Sequence, residues 1–229
     1  MSRDAPTGQL VLATMLAQSV FFSILFILAP LPRLKLDRAP RGTALACLAY
    51  FSALGIGFMF LEISFIQRFV LFLGNPAYAV SVVLGGLLIA AGAGSLLIHG
   101  SGGSEDVLLR RATLLLMTLG LTYTFGLPAL FSQLRALGEI QRFLVGLLLV
   151  IPLGLVLGQF LPIGIRIVNR IEPALVPWAW GINTCTSVVS TVLAVILAMS
   201  AGFRTVCLVA LGLYLGGAVL MWRVERRIA

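Results

Sequence analysis

Apolar positions along this chain neither alternate nor keep to a single helical stripe. They run together in blocks of about 20 residues, separated by short polar punctuation. A block of that length, wound as a helix, crosses roughly 30 Å of hydrocarbon. Seven such blocks are predicted, over residues 8–29, 43–73, 78–99, 108–131, 143–166, 175–200 and 204–222. The breaks have chemical causes. Pro30 and Pro32 end the first block, because proline cannot continue the hydrogen-bond ladder. Gly74-Asn75-Pro76 predicts a tight turn after the second, and HGSGGSED (99–106) a flexible polar loop after the third. Gly202 separates the last two.

This pattern predicts an all-α, polytopic membrane helical bundle of about seven transmembrane helices, forming a single transmembrane domain over residues 1–229. Small residues recur every fourth position at Gly86, Ala90 and Gly94, at Gly154 and Gly158, and at Gly212 and Gly216. That spacing lets helix backbones approach closely in lipid, so all three stripes are expected to pack. GAGS (92–95) is not read as a nucleotide loop, because no strand–turn–helix context surrounds it.

Composition agrees with the pattern. Hydrophobic residues make up 60% of the 229 and charged residues only 10%, and the mean hydropathy is +1.08. The net charge of +8 raises the question of nucleic acid, but the basic residues sit in short clusters at the ends of apolar blocks. There they orient the chain and meet anionic lipid, so no nucleic-acid partner is expected. The first block is too long for a signal-peptide core and lacks a cleavage pattern, so a retained helix is expected.

Lys and Arg divide unequally between the two sides of such a bundle. Arg3, Arg68, Arg135, Arg142 and Arg204 fall on one side. Arg33, Lys35, Arg38, Arg41, Arg110, Arg111, Arg166, Arg170, Arg223, Arg226 and Arg227 fall on the other. The more basic side is cytoplasmic by the positive-inside rule, which puts the N-terminus outside and the C-terminus inside.

Against this apolar background GFMFLEISFIQRFVLFLG (57–74) stands out, because Glu62, Ser64, Gln67 and Arg68 lie within seven residues. A helical wheel separates them. Ile66, Phe69 and Leu73 fall within about 40° of Glu62, whereas Ser64, Gln67 and Arg68 fall on the opposite side. Glu62 and Arg68 are six apart and do not pair on one helix. Nineteen uncharged residues, Thr43 to Leu61, precede Glu62. At 1.5 Å per residue this is about 28 Å, which places Glu62 near the outer interface. Two readings follow. In one, Glu62 is a structural carboxylate, with Arg142 and Arg204 as candidate ion-pair partners. In the other it is a proton or cation site, because intramembrane carboxylates are costly and usually have a task.

A second polar group is expected near the cytoplasmic side. Gln159, Pro162 and Arg166 end the fifth block, and Trp178, Trp180, Asn183, Thr184 and Ser187 open the sixth. Gln159 and Arg166, seven apart, share a face, and Asn183, Ser187, Ser190 and Thr191 form a stripe. These residues are read either as tryptophan anchoring with interhelical hydrogen bonds, or as the lining of a small cavity for a substrate or lipid headgroup. The candidate binding residues are thus Glu62, Gln67, Arg68, Gln159, Arg166, Trp180 and Asn183.

No catalytic set is found. The single histidine, His99, sits beside a Gly-rich loop and cannot complete a Ser–His–Asp triad. Cys47, Cys185 and Cys207 lie in apolar blocks without metal-ligand spacing, and the eight acidic residues are scattered. No metal and no cofactor are therefore expected, and no stretch between the helices is long enough for a βαβ unit.

GFMFLEISFIQRFVLFLGNPAYAVSVVLGGLLIAAGAGSLL (57–97), GQFLPIGIRIV (158–168) and VPWAWGINTCTSVVSTVLA (176–194) carry a family resemblance. Together they resemble the membrane region of bacterial integral membrane proteins related to spermidine synthase. That family has a Phe-Pro-x-Gly-like helix end followed by a Pro-x-Ala-Trp-Gly-x-Asn helix start. The matching positions are Phe160, Pro162, Gly164, Pro177, Trp180, Gly181 and Asn183. The resemblance extends over roughly two-thirds of the chain. It implies a bacterial inner-membrane location and a membrane scaffold. Family members join such helices to an aminopropyltransferase-like soluble domain, and that domain's catalytic residues have no matching positions here.

The expected function is accordingly a membrane subunit in the lipid bilayer that anchors or assists a separate enzyme or larger complex. Other protein subunits or further copies of the chain are the expected partners. The alternative is a small transporter or half-transporter for a polyamine-like cation or other small solute, with Glu62 binding the charge and helices broken at Pro152 and Pro162 lining the path.

Overall fold

The computed structural model describes residues 7–25, 39–100 and 102–226. Among these the chain forms six helices and no strand. The first, α1 (Thr7–Ser23), has 17 residues. The predicted first block runs on to residue 29, which lies outside the described residues, as do Arg3, Arg33, Lys35, Arg38 and Arg227.

Helix α2 (Arg41–Leu73) has 33 residues and ends for a local reason. Gly74 adopts φ 74°, a left-handed conformation that suits glycine, and its N–H donates to the Val70 carbonyl at 3.0 Å. The Asn75 side chain then accepts from the Ala77 N–H at 2.9 Å, and Pro76 occupies the first turn of α3, where no N–H is needed. Thus α3 (Pro76–His99) begins where the sequence places a turn. It contains one π turn, Ser81–Gly85. His99 is the last residue of α3 and Glu105 the first of α4, so the loop expected over 99–106 is shorter than its polar composition implies. Glu105 and Asp106 favour that start, since carboxylates stabilise a helix N-terminus.

Helix α4 (Glu105–Gln133) continues into a 3₁₀ turn at Leu134–Ala136. Helix α5 (Glu139–Ile171) follows, with the Gly138 N–H donating to Gln141 Oε1 at 3.1 Å at its start. It stays helical through Pro152 and Pro162. After a 3₁₀ turn at Pro173–Leu175, α6 runs from Val176 to Arg226. Inside α6 the backbone at Gly202 leaves helical geometry, with φ 82° and ψ 158°. The break divides α6 into an arm before it, α6a, and an arm after it, α6b. Five helices, α2 to α6, are long and apolar enough to cross a membrane.

Helix α2 is central and packs most extensively against α6, and the next most extensive contact joins α3 to α5. Helix α4 leans on α5 and α6, whereas α1 leans on α6. At the end of α2 next to α3, Phe65, Phe69, Phe72 and Phe131 form an aromatic cluster. Phe72 and Phe131 stack at 4.2 Å, and Phe69 meets Phe131 edge-on at 5.2 Å; such pairs contribute about 0.5–1.5 kcal/mol each beyond burial. Toward the other end Tyr50, Phe51, Phe160 and Tyr214 are buried, and the Tyr50 hydroxyl donates to the Phe160 carbonyl at 2.7 Å. The outside is apolar too: Leu71 is 87% exposed and Ile89 78%. Such a surface is one that lipid covers.

Two of the predicted small-residue stripes meet each other. Gly86 lies against Val150, Ala90 against Gly154, and a Cβ at Gly94 or Gly158 would overlap the backbone of Leu155 or Ala91. The third stripe does not pack. Gly212 and Gly216 face open space, and Gly217 instead lies against Ala53 and Tyr50. One residue along a helix is a 100° rotation, and the break at Gly202 resets the phase of everything after it.

Candidate functional site

The four polar residues of 57–74 go to different places, because α2 has neighbours on more than one face. Its Gly55 and Met59 meet α6a, and its Gly57 meets Tyr214 and Ala210 of α6b. Glu62 is 8% exposed, and its Oε2 has no hydrogen-bond partner. Ser64 is fully buried. Gln67 is exposed on the outside of the bundle, so it does not join a site with Glu62.

Arg68 has a structural explanation. Its Nη1 donates to the carbonyls of Tyr123 at 3.1 Å and Thr124 at 3.2 Å on α4. Pro128 lies four residues after Thr124, inside that helix. It has no N–H, so the Thr124 carbonyl lacks its helical donor. Arg68 supplies the missing donor from another helix.

The ion pair expected for Glu62 does not form. Arg142 donates through Nη1 to the Phe72 carbonyl at 3.1 Å, in the last turn of α2. The final carbonyls of a helix have no partner within it and carry partial negative charge, which a guanidinium satisfies well. Phe72 lies ten residues beyond Glu62, about 15 Å along the axis. Arg204 is exposed, with its guanidinium 5.3 Å from the centre of the Phe125 ring. Among the described residues the only ion pairs join Arg170 to Glu105 at 3.3 Å and to Glu225 at 3.0 Å.

The second group is also dispersed. Gln159 donates to the Leu155 carbonyl of its own helix at 3.1 Å. Arg166 reaches the Ile98 carbonyl at 2.5 Å, in the last turn of α3. Trp180 is 51% exposed. Asn183 alone turns to α2, where its Nδ2 donates to the Phe51 carbonyl at 3.1 Å. Ser187 follows with a bond to the Gly55 carbonyl at 3.3 Å, and Thr191 with a contact to Met59 Sδ at 3.4 Å. All three rungs span 132 residues. The stripe is therefore a ladder between two parallel helices, with one rung per turn.

A half-open cleft of about 320 Å³ lies where α2, α3, α5 and α6a converge. Asn183, Ser187, Ser95, Gly158 and Pro162 contribute to its wall. Pro162 also withholds the helical donor from the Gly158 carbonyl. Of the candidate binding residues, only Asn183 lines this space.

The acidic residues of the opposite end form contacts that the hydropathy pattern does not reveal. Arg170 clasps Glu105 of α4 and Glu225 of α6b, joining three helices at one end of the bundle. Glu172 is 3% exposed, and its Oε2 accepts from the Ala39 N–H at 3.2 Å, which ties the chain before α2 to the turn after α5. The available signal was that these carboxylates stand at helix boundaries beside arginines. For Arg68, the signal was Pro128. Among the described residues no three His, Cys, Asp or Glu side chains gather where they could hold a metal. Cys47, Cys185 and Cys207 are free thiols.

No family model, curated protein or solved structure matches the chain.

Proposed function

We propose that the chain is a membrane subunit that anchors or assists a separate enzyme or larger membrane complex. The observation that carries this reading is how its polar interior side chains are used. Arg68, Arg142, Arg166, Asn183 and Ser187 all bond to backbone carbonyls of neighbouring helices. Groups committed to holding helices together are the interior of a scaffold. The resemblance of 57–97 and 158–194 to the membrane part of spermidine synthase-like proteins points the same way. Copurification in mild detergent, read by mass spectrometry, tests it: a second polypeptide at stoichiometric yield is expected, and a preparation holding this chain alone overturns it.

Within this proposal the chain crosses a bacterial inner membrane seven times. Helix α1 and the two arms of α6 supply the crossings beyond α2 to α5. Each arm takes about half of the 51 residues of α6, or roughly 37 Å, more than the roughly 30 Å needed. The N-terminus is outside and the C-terminus cytoplasmic. The Arg170 clasp supports that placement, because it holds the Arg223–Arg226 end beside Arg110 and Arg111. A C-terminal reporter active only outside the cytoplasm contradicts it.

One observation favours a second reading, a transporter or half-transporter for a polyamine-like cation. Glu62 buries a carboxylate oxygen without a donor, an arrangement costly in a membrane unless something binds there. Polyamine uptake into liposomes that is lost in Glu62→Gln, with the variant still folded, supports it. No uptake by the intact chain rejects it.

A further inference from the structure

We propose that the groove between α4 and α6b is a binding site for an anionic phospholipid, with its headgroup at the C-terminal end of α6 and an acyl chain lying along the helices. The groove has a volume of about 360 Å³. Its mouth holds Arg110 of α4 and Arg226 of α6b. Its walls further in are Leu114, Leu215 and Val219. From Arg226 to Leu215 is eleven residues, about 16 Å of helix. Cations at the mouth and apolar side chains along the length follow the order of charge and hydrocarbon in a lipid.

Three observations at the mouth point to an anion. Among the described residues neither arginine has a carboxylate partner, and both ion pairs there belong to Arg170. The Arg226 guanidinium lies 3.7 Å from the centre of the Trp222 ring, which holds it over the groove. Trp222 lines the same groove, and its Nε1–H is buried with no hydrogen-bond partner. A buried N–H is seldom left unpaired. A phosphate oxygen between the two guanidinium groups would accept from it once the indole, whose Nε1 is shielded in the free chain, turns toward the groove. A neutral lipid or an apolar partner helix would leave both cations and the indole N–H without an acceptor. The inference does not depend on whether the chain has a protein partner.

The test is lipid selectivity at Trp222. Replacing Trp178 and Trp180 by phenylalanine leaves Trp222 as the sole indole. The full chain is then reconstituted in phosphatidylcholine vesicles, and its fluorescence is quenched with brominated phosphatidylglycerol or brominated phosphatidylcholine. A preference of about fivefold or more for phosphatidylglycerol is expected, since each basic residue near an anionic headgroup contributes several-fold. Arg110→Gln with Arg226→Gln removes the preference. Arg111→Gln with Arg223→Gln, on exposed arginines of the same end that do not line the groove, keeps it. Val219→Phe, which fills the groove from a partly exposed position, lowers quenching by both lipids. Four results overturn the proposal: equal quenching in the parent chain, survival of the preference in the Arg110/Arg226 variant, equal loss in the Arg111/Arg223 variant, or no quenching by either lipid because a protein segment occupies the groove.

Discussion

Two pairs of parallel helices cross in this molecule and are held in different ways. Where α3 crosses α5, the contact is made by small residues: Gly86 on Val150, Ala90 on Gly154, and Gly94 and Gly158 on opposing backbone. At the end of that crossing the Arg166 side chain bonds across to the Ile98 carbonyl. Where α2 crosses α6a, Gly55 is equally close to Asn183 and Thr186, but side chains from Asn183 and Ser187 also bond across to α2. In lipid there is no hydrophobic force to push helices together, so dispersion between close backbones carries both crossings. The polar rungs add less than their number implies. The Phe51 and Gly55 carbonyls already have donors within α2, so Asn183 and Ser187 give them second bonds. Arg68 is of another kind, because its Thr124 acceptor has lost a donor to Pro128.

The comparison is broken most severely at the bare crossing. Gly158→Leu would drive a side chain into the Ala91 backbone. It is expected to cost about 3 kcal/mol or more, because backbone cannot move aside as a side-chain tip can. Thermal unfolding in mild detergent measures it, and a loss below about 1 kcal/mol would show that α3 and α5 separate freely. Next in size is Arg68→Leu, expected to cost about 1–3 kcal/mol by leaving a buried carbonyl unsatisfied. Pro128→Ala restores an N–H to Thr124, so in that background the cost of Arg68→Leu should fall by half or more. A double-mutant cycle with no coupling between the two sites would contradict the assignment. The smallest effect is expected on the polar ladder, where Asn183→Ala removes a second bond and should cost about 0.6 kcal/mol. A cost as large as that of Arg68→Leu would mean the rungs, rather than the glycines, hold α2 to α6a.

Much of the helical layout is legible in the residues. Gly74-Asn75-Pro76 specifies both the end of α2 and the cap of α3, and Gly202 marks the break in α6. The facing glycine stripes of α3 and α5 are legible because their spacing is itself the packing requirement. The partners of charged residues are less so. Arg142 is a candidate partner for Glu62 on the basis of charge and side, yet it satisfies the α2 terminus. Charge is visible in a sequence, whereas an orphaned carbonyl has to be inferred from a proline four residues on or from a helix end. Gly212 and Gly216 mislead for a different reason. Their spacing is right, but helix phase after Gly202 depends on the angle of the break, which local residues do not determine.

The π turn at Ser81–Gly85 gives α3 a property that its even hydropathy conceals. A π turn holds one residue more than an α turn. It works as an insertion retained inside the helix. Residues before it are in phase with the Asn75–Pro76 cap, and residues after it are in phase with the α5 backbone at Gly154 and Gly158. Removing one residue from 81–85 would convert the π turn to an α turn and leave the residues on either side close to their present phase, whereas the same deletion in the regular part of α3 would turn every side chain beyond it by about 100° relative to the cap. Length at this point of the chain is therefore under looser constraint than anywhere else in α3.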